Sequence, residues 1–395
     1  MDEPKAMRTR LRSLVIFRNL LRDPVVTRLD ALLGAPLSDG PAVAEALGAF
    51  ASALFETDMD WSACLLRAVL RGDDICVRYA AAGQELPPGL HACLSRELNF
   101  LQALSRFDGA AQRGAVPFPE EAPRWRISEL DFAARYEEML GALSTRGWGI
   151  FALSHMFTIH SGALRPVPHP DPQRLSELSG YERERAAVVD NTRALLSGKP
   201  AANVLLYGDA GTGKSSTVKA IANEFAPEGL RLVEVKKNQL YEIPALLGAL
   251  CGNPLKFILF IDDLSFAEND DDFAALKGIL EGGVSARGNN IAIYATSNRR
   301  HLVKERMADR EGDDLRAADT MQEIASLSAR FGLTVTFLRP DRDAYFRIVR
   351  TLAAARGLLV SEQELLSGAE TFAIRSGGRT PRAAKQYIER LSAER

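Results

Sequence analysis

Cysteine is scarce and unpatterned in these 395 residues: Cys64, Cys76, Cys93 and Cys251 are the full set. None forms a C-x-x-C pair and the spacings fit no thiolate metal site, so the expected state is reduced, buried thiols in a cytoplasmic protein. Long apolar runs are missing too. No window approaches the ~20 residues that a membrane span needs, and Leu14 to Phe17 is too short for a signal segment and is stopped by Arg18. A dominant charge is also absent: 49 Lys and Arg face 51 Asp and Glu, which predicts no overall attraction to nucleic acid or anionic lipid. The five histidines are scattered, and His155 and His160 lie too far apart for one helix face, so a metal role is not expected. What remains is ordinary globular composition, 46% hydrophobic and 25% charged, with length for two or three domains.

Residues 1–165 are rich in Ala, Leu and Arg, with apolar residues at helical spacing (Leu11, Leu14, Val15; Leu94, Leu98, Leu101) and few β-branched runs, which predicts a helical domain. Gly109 to Pro123 reads as a loop inside it. The arginines at 8, 10, 12, 18, 22 and 28 are interleaved with Leu and Val, and a solvated amphipathic helix accounts for them better than a nucleic-acid or membrane face. Four prolines between Arg165 and Pro172 forbid a helix and mark a boundary. Beyond it short β-rich runs alternate with helical stretches: Val204 to Tyr207, Leu230 to Val235, Phe257 to Ile261, Ile291 to Ala295 and Leu333 to Phe337. That alternation predicts a parallel sheet covered on both faces. After Pro340 three helical segments follow, near 341–356, 361–375 and 380–393.

Gly208, Asp209, Ala210, Gly211, Thr212, Gly213, Lys214 and Ser215 match G-x-x-x-x-G-K-[ST] at every fixed position, between a strand-like run and a helix that continues through Ser216. Glycines let the backbone turn its N–H groups toward phosphates, and the helix N-terminus adds partial positive charge. Lys214 can reach the β- and γ-phosphates, and the Ser215 hydroxyl can ligate Mg²⁺. The apolar run Phe257–Ile261 ends in Asp262 and Asp263. At the carboxyl edge of a parallel sheet these acids lie in the ligand crevice. Asp262 would hold Mg²⁺ and Asp263 would orient or deprotonate an attacking water. The acids Glu268 and Asp270 to Asp272 read as a solvated helix start.

The two motifs together resemble the AAA+ ATPases. The resemblance covers about residues 172–395 and implies a five-stranded α/β nucleotide core at 201–339 with a helical lid at 340–395. Ile291–Asn298 looks like the strand that ends in the sensor 1 residue, so Asn298 would contact the γ-phosphate or the water. Leu327–Gly332 looks like the arginine-finger segment, so Arg330 would reach a neighbouring subunit's nucleotide and imply a homo-oligomer. Gly378–Ala383 is similar to sensor 2, with Arg382 on the phosphates of its own chain. Leu175–Tyr181 resembles the adenine-pocket stretch, which gives Gly180 and Tyr181 a nucleotide role within a linker at 166–200. The strings Asn191–Gly208 and Ala295–Leu302 are most similar to a group of bacterial AAA+ proteins defined only as an ATP-binding domain of unknown function. One departure stands out: most of the superfamily has Asp-Glu where this chain has Asp262-Asp263. An aromatic-apolar-glycine pore element is also missing at Lys236 to Tyr241, which counts against a threading unfoldase. The charged stretch Val303 to Gln322 reads as a surface insertion.

The expectation is therefore an α/β chain: an N-terminal all-helical domain, a five-stranded parallel sheet and a C-terminal lid, binding ATP and Mg²⁺ and acting on a macromolecular client. Hydrolysis with remodelling, an ATP-loaded switch with little turnover, and a small-molecule P-loop kinase are three distinct readings. Arg330 and Arg382 in their motifs argue against the third.

Overall fold

The computed structural model describes residues 3–264, 266–267, 276, 278–280, 289–298, 303–304 and 329–393. The acids at 268 and 270–272 and nearly all of the stretch 303–322 lie outside the described residues. The chain divides into two compact units, Met1–Leu153 and Ser154–Arg395.

The first unit is helical throughout its described residues: α1 (Glu3–Arg12), α2 (Pro24–Gly34), α3 (Gly40–Phe55), α4 (Trp61–Leu70), α5 (Ile75–Ala81), α6 (Pro88–Leu104), α7 (Ala110–Ala115), α8 (Phe132–Gly141) and α9 (Leu143–Arg146). Aspartate starts many of these helices. Asp23, Asp39, Asp60, Asp74 and Asp131 each accept N–H bonds from the first turn of α2, α3, α4, α5 and α8, and each such cap contributes ~1 kcal/mol. The core includes Phe17, Phe50, Trp61, Leu101 and Phe132, and Phe50 meets Trp61 and Trp125 edge-on at 5.4 and 4.9 Å. The expected helical run through Leu14 and Val15 stops at Arg12. The reason is Glu97 on α6, a buried carboxylate that accepts the N–H groups of Val15, Ile16 and Phe17 at 2.7, 3.1 and 3.1 Å. Those donors are thereby satisfied outside a helix. The loop expected over 109–123 instead contains α7. The N-terminal arginines serve the fold: Arg8 and Arg12 both bond Asp30, and Arg10 lies 4.9 Å over the Phe100 ring.

In the second unit, strands β1 (Met156–His160), β2 (Ala163–Pro166), β3 (Val204–Gly208), β4 (Leu230–Glu234), β5 (Lys256–Ile261), β6 (Ile291–Asn298) and β7 (Leu333–Phe337) form one sheet in the order β2-β1-β4-β5-β6-β3-β7. All pairings are parallel except that of β1 with β2. The five expected strands lie side by side, and the sheet has seven because a hairpin extends its edge. The sequence places residues 156–165 in the expected helical domain and Pro166 in the linker. They form strands because Met156, Phe157 and Ile159 are buried around a tight turn whose Ser161 and Gly162 sit at φ 50° and 75°, the positive φ that a primed hairpin turn needs. The compact units accordingly divide twelve residues earlier than the proline-rich stretch suggested.

Continuous burial of β5 and β6 is what helices on both faces produce. Helix α10 (Glu182–Leu196) falls within the expected linker. It packs on the sheet through Val188 and Leu195, and its Asn191 and Thr192 bond the Tyr294 hydroxyl. Helix α11 (Lys214–Phe225) follows β3, and α12 (Ile243–Leu250) lies between β4 and β5. The last three helices, α13 (Arg342–Ala355), α14 (Glu362–Arg375) and α15 (Pro381–Ala393), share their own core around Tyr345, Val349, Ala369 and Ile388.

Candidate functional site

Strand β3 pairs with β6 on one side and β7 on the other, in a register that sets Gly208 opposite both Asn298 and Phe337. The loop that leaves β3 therefore starts at the carboxyl edge, between two strand ends. Gly208 has φ 142°, and a Cβ there would collide with the Phe337 carbonyl, so glycine is required. Gly211 and Gly213 follow at φ 79° and 93°, and Gly213 caps α11. Their backbone leaves an N-terminal helix turn facing the crevice, the arrangement that receives phosphate.

Lys214 is 7% exposed. Its ammonium donates to the Gly208 and Asp209 carbonyls at 3.0 and 2.7 Å and to Asn298 Oδ1 at 3.1 Å. Burial pushes this ammonium below its ordinary value; Asp209, Asp263 and Asp262 pull the other way, and Arg382 adds to the lowering. Ser215 Oγ donates to Asp262 Oδ1 at 2.6 Å. Asn298 turns its other end to Asp263, Nδ2 donating to Oδ1 at 2.7 Å. The phosphate loop, both carboxylates and the polar end of β6 thus form one connected set. Ser216 follows on α11, and the Thr212 hydroxyl braces the loop through the Asp209 carbonyl at 2.8 Å.

The third helix of the C-terminal group reaches the same place. Arg382 N–H donates to the Gly211 carbonyl at 3.2 Å, and a Cβ at Gly211 would stand 3.3 Å from Thr380 Oγ1 and 3.4 Å from Arg382 Cβ. Gly180 (φ 76°) lies against Ile348 of α13, and Tyr181 (φ 61°) stacks its ring 5.2 Å from Phe337 while its hydroxyl donates to the Leu338 carbonyl at 2.6 Å. A small cavity lined by Ser179, Arg185, Thr212, Gly213 and Lys385 separates this segment from the loop. The Arg185 guanidinium bonds the Gly180 and Leu178 carbonyls beside it. Residues 337–339 meet the loop directly: Asp209 N–H donates to the Phe337 carbonyl at 3.1 Å, and Asp209 Oδ2 accepts Arg339 N–H at 2.9 Å.

Arg330 is the one expected site residue that lies apart. It precedes Leu333, which pairs with Val204 at the amino end of β3, whereas the loop leaves the carboxyl end, ~13 Å away over five residues of strand. Thr296 went unrecognised in the sequence. It is 2% exposed, its hydroxyl donates to Asp262 Oδ1 at 2.6 Å, and it accepts Asp263 N–H at 2.9 Å. Its signal is a polar side chain at the point where the apolar run from Ile291 gives way to Thr296, Ser297 and Asn298.

The donors fit a triphosphate with a hard cation. A buried ammonium, a glycine cradle and a helix start offer positive charge, and a hydroxyl–carboxylate pair offers oxygen ligands. Among the described residues no helix is long and apolar enough to cross a membrane.

Three comparisons with known proteins bear on this chain. The replication factor C large subunit of Thermofilum pendens (strain DSM 2475 / Hrk 5) is 32% identical over 120 residues, 28% of this chain and 28% of that protein. The RuvB Holliday junction branch migration motor of Thermotoga maritima is 17% identical with a TM-score of 0.38, over 56% of this chain and 65% of that chain. A point variant of the same RuvB gives 0.40 over the same shares. The chain thus spans under a third of the length of the first and just under two thirds of the second. The family described as "Protein of unknown function (DUF815)" matches residues 151–395. That span takes in the whole sheet, the phosphate loop, both carboxylates and the last three helices, and the chain belongs to this family, with the motifs of an AAA+ ATPase.

Proposed function

We propose that this chain binds ATP with Mg²⁺ and hydrolyses it, coupling the cycle to the remodelling or switching of a macromolecular client. The observation that carries the reading is the joined pair of links Ser215–Asp262 and Lys214–Asn298–Asp263 at the mouth of the phosphate loop. The loop amides from Gly208 to Ser216 and the Lys214 ammonium would hold the phosphates, with Ser215 and Asp262 holding the metal. The bound Mg²⁺ would neutralise charge on the phosphate oxygens. Asp263 would orient the attacking water and take its proton as the bond from the γ-phosphorus to the bridging oxygen breaks. Asn298 would keep that carboxylate in place. Arg382 would add positive charge from its own chain. Gly180 and Tyr181 would border the base, in a nucleotide core followed by a lid from residue 340.

Arg330 lies far from its own loop, so its proposed role is on the nucleotide of the next subunit in a homo-oligomer. Loss of such an arginine costs ~10³ to 10⁵ in rate in related chemistry. A second reading, an ATP-loaded switch with little turnover, is favoured by Asp263 being one methylene shorter than the usual Glu and already bonded to Asn298.

Phosphate release from the pure full chain decides between them. Turnover with Mg·ATP that disappears in Arg330→Ala supports the assembled ATPase. Nucleotide binding without release supports the switch. Absence of calorimetric heat with Mg·ATP would remove both.

A further inference from the structure

Asp263 has φ 53°, a left-handed conformation that costs a non-glycine residue steric energy. Something must hold it there, and the contacts name the group. Asp263 N–H points at Thr296 Oγ1 (2.9 Å) and at Asp262 Oδ1 (3.1 Å). An ionised carboxylate only accepts, so the single hydroxyl proton of Thr296 goes to Asp262 Oδ1 and its lone pair receives Asp263 N–H. Asp262 Oδ1 then accepts from Ser215, Thr296 and Asp263 together, while among the described residues no donor reaches Oδ2. Next to it, Leu264 N–H donates to the Thr296 carbonyl at 2.7 Å and Ser297 Oγ donates to the Leu264 carbonyl at 2.7 Å. The end of β6 is therefore a template on which residues 262–264 are laid.

The geometry points to Thr296 as a positioning residue that fixes both carboxylates at once: it orients Asp262 so that Oδ2 is left for the metal, and it holds the backbone turn that aims Asp263. The assignment rests on the ATP and Mg²⁺ reading above. Valine has the same shape without the hydroxyl, and serine has the hydroxyl without the methyl, so the pair separates hydrogen bonding from packing.

The test uses the full chain as wild type, Thr296→Val and Thr296→Ser. ATP affinity is measured by calorimetry with EDTA and with saturating Mg²⁺, and amide exchange at Asp263 is followed without nucleotide. In wild type Mg²⁺ strengthens ATP binding. In Thr296→Val that gain shrinks by about tenfold, the scale of one hydrogen bond to a charged group, while affinity in EDTA is unchanged and the Asp263 amide exchanges faster. Thr296→Ser restores both readouts. A valine variant with the wild-type Mg²⁺ gain, or a serine variant as impaired as the valine one, overturns the assignment alone. A wild type that does not bind Mg·ATP overturns the proposed function with it.

Discussion

Carboxylates do different work in the two units. In the helical unit some pair with arginines, as Asp30 does with Arg8 and Arg12, and the most buried are absorbed by backbone. Five aspartates cap helix starts, and Glu97 holds three consecutive N–H groups of the 15–17 segment. In the sheet unit Asp262 and Asp263 stand past a strand end, bonded mainly to side chains that chemistry could recruit: Ser215, Thr296 and Asn298. Position relative to the secondary structure, rather than residue type, decides which acids are structural and which are available to a ligand.

Substitutions can break that contrast. The largest effect is expected from Asp263→Asn, which removes the proposed general base: kcat for phosphate release should fall by ~10² to 10⁴ while Mg·ATP affinity from calorimetry stays within about twofold. Glu97→Ala should destabilise the helical unit by about 3 kcal/mol, since buried N–H donors are left unmatched, seen as a lower midpoint in chemical denaturation. The contrast predicts that the same variant binds Mg·ATP as wild type does; a matching loss of affinity would mean that the two classes of carboxylate are not separate. Lys214→Ala should weaken Mg·ATP binding by roughly 10- to 100-fold, the loss of charge-assisted bonds to phosphate.

The smallest effect is expected at Asp74. Burial raises its carboxyl above the ordinary 3.8, against the N–H bonds of Val77 and Cys76 and the Tyr136 hydroxyl. A raised acid means that the folded state binds the proton more tightly than the unfolded chain does. Its contribution is therefore fullest at or below its ordinary value and declines as pH rises through the raised one. Asp74→Asn keeps an N-cap acceptor and does not titrate, so its stability relative to wild type should improve as pH increases across that window. Denaturant midpoints of the two proteins from pH 4 upward would check this.

Most of the sheet unit was legible because its signals are local. The five core strands and the last three helices lie within a few residues of their apolar runs, and the phosphate loop, Asp262, Asp263, Asn298 and the backbone of Arg382 lie together at one sheet edge. The hairpin at 156–166 was not legible. Its strands are short, one ends in proline, and its pairing partner β4 is 76 residues away in sequence, so no local period marks it. Thr296 was hidden for a related reason. Within Ile291–Asn298 a β-branched residue reads as a strand former, and only its contacts with residues 33 and 34 positions earlier reveal the hydroxyl's use. In the helical unit, Glu97 ends α1 from 80 positions away, which no periodicity in α1 could show.

The three bonds that tie Phe337, Leu338 and Arg339 to Asp209 and Tyr181 have a mechanical consequence. Those residues are the joint through which the sheet passes into the last three helices. Any swing of that helical group at this joint must drag the opening residues of the phosphate loop with it, or else break the bonds. The angle of that helical group and the shape of the loop that leaves β3 are therefore geared together through these three residues.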